Sequence, residues 1–330
     1  MASMKPTKLL WAIPSATFHA GRNLVFQHAP RVANALLRLG NVSGRGAAHE
    51  GPRAVDYFHG VAADYEQMAA HVGLVSEPRS LFQGRRVLEL GPGDTRTIAL
   101  LAKLRGARAF SGVDAFDIES RDERYLRGIY EPVMAREGAD GGYARAKDLL
   151  ADVRYHHDRP SLRAGGSRFD LVVSRAVLEH VGDLDALFDD LAAVTTPDAV
   201  QIHKVDLRCH GNRLDHELDF LMFPDAVYAR MASHTGMPNR MRVPGYLDLG
   251  ARHGFALVYA GATHRISIAE VEAVKAQLAP PFDGMPSEAL AVLGVWLVLV
   301  GRDHPLAAKA LRDLSTAALP VAPAEILSPF

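Results

Sequence analysis

Apolar positions along this chain follow two rhythms. Val55, Phe58, Val61, Ala62, Tyr65 and Met68 recur at helical spacing, so the pattern predicts an amphipathic helix over 53–75. Short apolar runs then alternate with helical stretches. Strands are predicted at 86–90, 109–114, 153–156, 169–174 and 199–205, and helices at 97–104 and 183–194. Strands alternating with helices imply parallel βαβ units in a doubly wound, Rossmann-like α/β sheet. Residues 206–243 break the rhythm. They are rich in His, Asn, Arg, Met and Pro, and read as an insertion above the carboxyl edge of the sheet, where ligands bind in such folds. The rhythm returns with helices at 245–253 and 268–278 and strands at 256–260 and 290–300, which makes seven strands. The longest apolar run, 289–301, falls short of the ~18–20 residues that span a bilayer and reads as a buried strand.

The two ends differ from this middle. Residues 1–52 read as a basic helical arm and linker. Leu24, Val25, Val32, Leu36 and Leu37 mark one helix face, and four glycines between 40 and 51 mark the linker. Lys5 and Lys8 precede Leu9-Leu10-Trp11-Ala12-Ile13-Pro14, which has the order of a secretory signal but is too short and is broken by proline. An arm or helix and a cytoplasmic location are expected. The basic arm either packs on the domain as a solvated helix or, through residues 1–40, touches a lipid surface or a partner weakly. Residues 53–302 form the expected α/β domain, and 303–330 a C-terminal helix and a loose tail with three prolines after 319.

Composition narrows the partners. Of 330 residues, 37 are Lys or Arg and 38 are Asp or Glu, for a net charge of −1, so no global basic field exists to hold nucleic acid. The 48% hydrophobic and 23% charged content is that of a globular chain able to bury its own core. The one cysteine, Cys209, excludes an intrachain disulfide and fits a reducing compartment.

The strongest local signal is Val87-Leu88-Glu89-Leu90-Gly91-Pro92-Gly93-Asp94-Thr95. An apolar strand enters a glycine turn and leaves into a helix, whose unpaired N–H groups face a ligand while the glycines let backbone approach it. The second strand ends at Asp114, a carboxylate beside that turn, placed either to accept hydrogen bonds from ribose hydroxyls or to cap its own turn.

These residues resemble motif I and the following acidic position of class I S-adenosylmethionine (SAM)-dependent methyltransferases. The resemblance continues through Phe169-Asp170-Leu171-Val172-Val173-Ser174-Arg175-Ala176-Val177-Leu178-Glu179-His180-Val181 and covers about residues 53–302. It implies a sheet that closes with an antiparallel hairpin, SAM as cofactor, and a cofactor site made by Glu89, Gly91, Gly93, Asp94, Thr95, Asp114, Ala115 and Ser174. Glu89 would lie near the methionine portion and Asp114 would hold the ribose. The adenine-contacting position would follow the third strand, at His157 or Asp158. Thr95 departs from the family, which often carries a third glycine there. Ile202-His203-Lys204-Val205-Asp206-Leu207-Arg208-Cys209-His210-Gly211 resembles a segment of a bacterial subgroup linked to surface-glycan and secondary-metabolite pathways, with Cys209 in place of the usual Asp.

Methyl transfer from a sulfonium is an in-line displacement that requires positioning and, for a hydroxyl acceptor, removal of a proton. His180, His203 and Asp206 are the catalytic candidates, because an imidazole titrates near neutral pH. His180 has a structural alternative as a helix-capping side chain. His210, Asn239 and Arg240 are candidates for gripping a polar acceptor, or for fixing their own loop. Tyr57, Phe58 and Tyr65 either close over SAM or form plain core. A metal at His203, His210, His216 and Asp206 is not expected, because spacings of seven and six match no compact ligand motif. The expected activity is methylation of a small molecule, at a hydroxyl of a sugar or secondary metabolite in the first reading and at sulfur or nitrogen in the second. A nucleotide-dependent oxidoreductase would need glycine where Arg96 stands, and a non-enzymatic binding protein would not need the Glu89, Gly91, Gly93 and Asp114 set.

Overall fold

Seven strands build one sheet: β1 (Arg86–Leu90), β2 (Ala109–Val113), β3 (Arg154–His156), β4 (Phe169–Arg175), β5 (Thr195–Asp206), β6 (Phe255–Arg265) and β7 (Val292–Gly301). Their spatial order is β3-β2-β1-β4-β5-β7-β6. Neighbours from β3 to β5 are parallel, and β7 runs antiparallel to both β5 and β6. The doubly wound sheet and its closing hairpin are therefore as expected. The computed structural model describes residues 6–29, 32, 52–116, 118–166, 168–210, 215–232, 237–312 and 319–323.

Eleven helices of the described residues surround or flank the sheet: α1 (Pro6–His28), α2 (Pro52–His71), α3 (Thr97–Leu104), α4 (Glu123–Arg136), α5 (Gly142–Leu150), α6 (Arg159–Ala164), α7 (Leu184–Val194), α8 (Asp225–Ala232), α9 (Val243–Arg252), α10 (Ile268–Lys275) and α11 (Ser287–Ala291). Helices α2 to α5 cover one face, where Val87, Leu171, Val173, Ile202 and Trp296 meet Phe58, Tyr65, Leu100 and Val133. Helices α7 and α9 cover the other, where Leu88, Val172 and Val205 meet Phe188, Leu191 and Tyr246. Because both faces are covered, β7 is buried at every position, which is why its sequence is continuously apolar rather than alternating.

Several elements differ from the expectation. Helices α4 and α5 were not anticipated between β2 and β3. In α4 the apolar residues Ile129, Tyr130, Val133 and Met134 sit among charged side chains and Pro132, so their period is diluted. Its start is fixed by Asp122, whose carboxylate accepts from the N–H groups of Arg124 and Tyr125. Strand β5 starts at Thr195 and β6 continues to Arg265, both longer than expected. Pro14 lies inside α1 rather than ending it. Leu24 and Val25 share an exposed face there, whereas Leu36, Leu37 and the linker at 40–51 lie outside the described residues.

The insertion has its own core. Leu218, Phe220, Leu221, Tyr228 and Met231 pack with Val271, Phe282, Leu290 and Leu293, and Ala12 of α1 joins them. After β7 the described residues include a 3-10 turn at Pro305–Lys309, within the stretch where a C-terminal helix was expected. The expected loose tail is tied down at 319–323. Ala262 donates to Pro320, Ala322 donates to Ala262, and Leu319 is buried. No described helix is long and apolar enough to cross a membrane.

Candidate active site

The carboxyl ends of β1, β4 and β5 converge, and the charged residues of the apolar strands gather there. At β1 the chain turns through Gly91 (φ +63°) and Gly93 (φ +76°), a left-handed backbone that favours glycine. A Cβ on Gly91 would lie 2.4 Å from Cγ2 of Val177, so the glycine turn and the segment after β4 are packed against each other. Asp94 is buried in this turn. Tyr125 of α4 donates to its Oδ2 at 3.0 Å, and its Oδ1 has no hydrogen-bond partner within the protein. Thr95 explains its departure from glycine. Its hydroxyl is buried 2.9 Å from that of Thr97, and α3 begins only at Thr97. Arg96 turns away to pair with Glu119 and lies over the Tyr155 ring.

Beside the turn, Asp114 directly follows β2; it is half-buried and accepts from the N–H of Phe116 at 2.9 Å. The turn-capping role is thus present, and one carboxylate oxygen serves it. Ala115 follows and is exposed. Glu89 is buried on β1 beneath the turn. Asp158 caps α6 by accepting from Ser161, and His157 adjoins it.

Strand alternation separates the residues of β4 and β5. Ser174 and His203 share the face of Val172 and Val205. Both are fully buried, with the Ser174 hydroxyl 2.7 Å from His203 Nδ1 and Gln201 Oε1 3.1 Å from Nε2. Burial pushes the His203 imidazole down to about 3, so this expected catalytic base is a neutral core residue with both nitrogens engaged. Arg175 and Lys204 point to the opposite face, where Asp64 of α2 lies 2.7 Å from the guanidinium and 4.0 Å from the ammonium. All three are buried. Burial and the Arg175 charge pull Lys204 down to about 7, against the opposite pull of Asp64 and Asp206. This cluster lies outside the expected site residues. A charged residue at the end of each of two apolar strands was the available signal, since buried charges require partners.

Past β4, a 3-10 turn at Leu178–His180 brings Glu179 and His180 to the end of β5. Glu179 is buried. Its Oε1 accepts from the N–H of Asp206 at 3.2 Å, and its Oε2 has no hydrogen-bond partner within the protein. Burial above all, helped by the Asp206 charge, raises its carboxyl well above the usual range. Asp206 has the opposite character. Burial would raise it, but donors from Arg208 and His210 hold it well below the usual range. Arg208 donates from its backbone N–H at 3.0 Å, from Nε at 2.8 Å and from Nη2 at 2.6 Å. Nε2 of His210 stands 3.1 Å from Asp206 Oδ2. The rings of His180 and His210 lie 4.9 Å apart, and each side chain is about a third exposed. Of the expected groups, His180, Asp206 and His210 are thus brought together.

Asn239 and Arg240 have their polar groups spent within the chain. The Asn239 amide donates to the carbonyls of Leu178 (2.7 Å) and Val181 (2.9 Å), and its oxygen accepts from Met241. Its backbone N–H donates to the Glu179 carbonyl at 2.6 Å. Arg240 is buried between the Tyr228 and Phe282 rings and donates to Phe223 and Asp225. These residues fasten the insertion and set the turn that carries His180, rather than presenting donors to an acceptor. Tyr57, Phe58 and Tyr65 of α2 belong to the core, with Tyr57 half-buried near Arg175. Among the described residues no group of three His, Cys, Asp or Glu side chains is arranged to hold a metal ion.

A family model described as a methyltransferase domain matches residues 62–260. Among solved structures, magnesium protoporphyrin IX methyltransferase from Synechocystis PCC 6803 is 14% identical, over 82% of this chain and 98% of its own, with a TM-score of 0.43. A SAM-dependent methyltransferase from Mesorhizobium loti is 18% identical, over 66% of this chain and 92% of its own, with a TM-score of 0.37. A putative sarcosine dimethylglycine methyltransferase from Galdieria sulphuraria is 13% identical, over 76% and 85%, with a TM-score of 0.42. No curated protein matches the chain significantly. With the seven-stranded sheet, the glycine turn and a family match over more than half its length, the chain belongs to the methyltransferase domain family, in the class I SAM-dependent superfamily.

Proposed function

We propose that this protein transfers the methyl group of SAM to a hydroxyl oxygen of a small acceptor, a sugar or secondary metabolite, with the Asp206–His210 pair as its general base. The observation that carries this reading is the 3.1 Å contact between Asp206 Oδ2 and His210 Nε2 at the carboxyl edge, beside His180. The resemblance of residues 202–211 to the glycan and metabolite subgroup supports the acceptor class. We divide the chain accordingly into an arm at 1–52, a transferase domain at 53–302 with its acceptor-side insertion at 206–243, and a tail at 303–330.

The residues at the first turn suit the cofactor. Gly91 and Gly93 keep side chains out of the turn, and Asp94 Oδ1 is a buried acceptor without a donor, a match for an ammonium group. Asp114 stands at the end of β2, where a ribose would meet a carboxylate. Glu89, Thr95, Ala115 and Ser174 complete the proposed pocket, Thr95 and Ser174 as its packed floor. When bound, SAM supplies a methyl carbon made electrophilic by the sulfonium.

The protein's own residues then handle position and proton. Asp206 stays ionised because Arg208 and His210 donate to it. An ionised Asp206 accepts the Nε2–H of His210, which leaves Nδ1 as the basic nitrogen toward an acceptor hydroxyl. When the acceptor oxygen displaces S-adenosylhomocysteine from the methyl carbon, the C–S bond breaking as the O–C bond forms, His210 would take the hydroxyl proton and Asp206 would stabilise the resulting imidazolium. His180 packs against His210 and helps to orient the acceptor, and Asn239 holds the turn that carries His180.

The test is an acceptor screen that reads S-adenosylhomocysteine release from hydroxylated sugars and metabolites, amines and thioethers. With a hydroxyl acceptor, His210→Ala and Asp206→Asn are expected to lower kcat by ~100-fold or more, the range of a lost general base, with SAM affinity unchanged. Turnover with thioethers alone, or an undiminished kcat in both variants, would overturn the assignment.

A further inference from the structure

Helix α1 is amphipathic in the wrong direction for a surface helix. It turns Ala12, His19 and Asn23 inward and Ile13, Phe18, Leu24 and Val25 outward, with Phe18 66% and Ile13 62% exposed. At 100° per residue these four fall within one arc of less than half the circumference. None of the exposed positions between residues 12 and 28 carries Lys, Arg, Asp or Glu. The one cation within that stretch, Arg22, is only partly exposed. A contiguous, uncharged outer face containing a phenylalanine is not what water selects on a globular surface.

The charge of this region says what covers it. Residues 1–51 carry Lys5, Lys8, Arg22, Arg31, Arg38 and Arg45 against the single acid Glu50, in a chain whose total charge is −1. The segment that displays the apolar face is therefore itself net basic. Pairing two copies of this face would bring two basic arms together. An anionic lipid surface accepts both features at once, since head groups attract the cations and the acyl boundary takes the apolar side chains. As no described helix is long and apolar enough to cross a bilayer, α1 would lie along the surface.

We propose that α1 docks the protein peripherally onto anionic membranes, with Ile13, Phe18, Leu24 and Val25 inserted and the net positive charge of the segment attracting the head groups. Ala12 of α1 packs into the core of the insertion, with Tyr228 and Met231 of α8. Docking thus tethers to the membrane the module that borders the candidate active site, and favours acceptors that partition into or reside at the lipid surface. The inference does not depend on which residue is the base.

The experiment is co-sedimentation of the full-length protein with vesicles of phosphatidylglycerol and phosphatidylcholine in equal parts, and with phosphatidylcholine alone. Light scattering without lipid runs in parallel. The expected result is partition to the anionic vesicles that falls with added salt. The Ile13→Ser/Phe18→Ser/Leu24→Ser variant should bind ~10-fold or more weakly while its circular dichroism and SAM binding match the parent. Three exposed positions are chosen so that folding is undisturbed. No binding to anionic vesicles, or equal binding of parent and variant, overturns the proposal. A dimer that the triple variant converts to a monomer, without lipid binding, assigns the face to a second copy and overturns it as well.

Discussion

Gly91→Ala probes the contact that joins the glycine turn after β1 to the segment carrying His180. Two costs are legible in the structure. A Cβ at φ +63° strains the backbone by roughly 1–2 kcal/mol. The same Cβ would stand 2.4 Å from Cγ2 and 3.2 Å from Cγ1 of Val177, an overlap whose relief by shifting a packed neighbour costs about 1–3 kcal/mol. The two sum to roughly 2–5 kcal/mol, a large share of the stability of a domain this size. Val177→Ala removes the atoms that collide but leaves the backbone term. In the Gly91→Ala/Val177→Ala double variant, the overlap should therefore vanish and the strain persist. Urea unfolding followed by tryptophan fluorescence, with Trp296 buried in the core, measures all four proteins. The cycle should show a coupling of about 1–3 kcal/mol. Calorimetry with SAM should show weakened binding in Gly91→Ala and partial recovery in the double variant. A loss in Gly91→Ala below about 0.5 kcal/mol, or strictly additive variants, would refute the packing of the turn against Val177.

Other expectations concern the acids. Glu179 has a folded-state pKa raised above the 4.5 of an ordinary glutamate, so the folded protein keeps a proton that the unfolded chain releases. Stability conferred by wild type should then fall as pH rises above about 4.5, by up to about 1.4 kcal/mol per pH unit until the folded group titrates. Glu179→Gln mimics the protonated form, and its stability relative to wild type should grow as the pH rises above about 4.5 in urea melts. A constant deficit across that range would show that Glu179 is ionised in the fold. Asp114→Ala should weaken SAM binding at least ~10-fold, about 1.4 kcal/mol, for the loss of hydrogen bonds to a charged acceptor. Asp114→Asn keeps an oxygen for the Phe116 N–H, so it distinguishes a ribose contact from a turn cap. Asn retaining full affinity while Ala loses it would assign Asp114 to the turn alone.

What the sequence displays depends on whether the information is local. The β1 and β4 apolar runs, the Gly91-Pro92-Gly93 turn and the Asp114 strand end are each set within a few residues, and the sheet forms from them as expected. Helices α4 and α5 escape because charged residues and Pro132 dilute their apolar period. Side-chain direction is the second limit. His203 and Lys204 are neighbours in sequence, yet strand alternation sends one to Ser174 and the other to Asp64. The pairing of Glu179 with Asp206 crosses from β4 to β5, and only the folded sheet sets it. Asn239 offered donors in the sequence, but three backbone groups of the neighbouring turn and its own loop take its amide. Burial then decides chemistry that residue type leaves open. His203 is buried with both ring nitrogens engaged, whereas His210 is partly exposed and contacts Asp206.

Calorimetric titration of the purified full-length protein with SAM and with S-adenosylhomocysteine tests the central claim most directly. The glycine turn, Asp94 and Asp114 together predict binding of both compounds at one site, with dissociation constants on the order of micromolar, about 8 kcal/mol of binding free energy. Absence of binding to either, by a protein whose melting curve shows it folded, would contradict the assignment of this site to SAM.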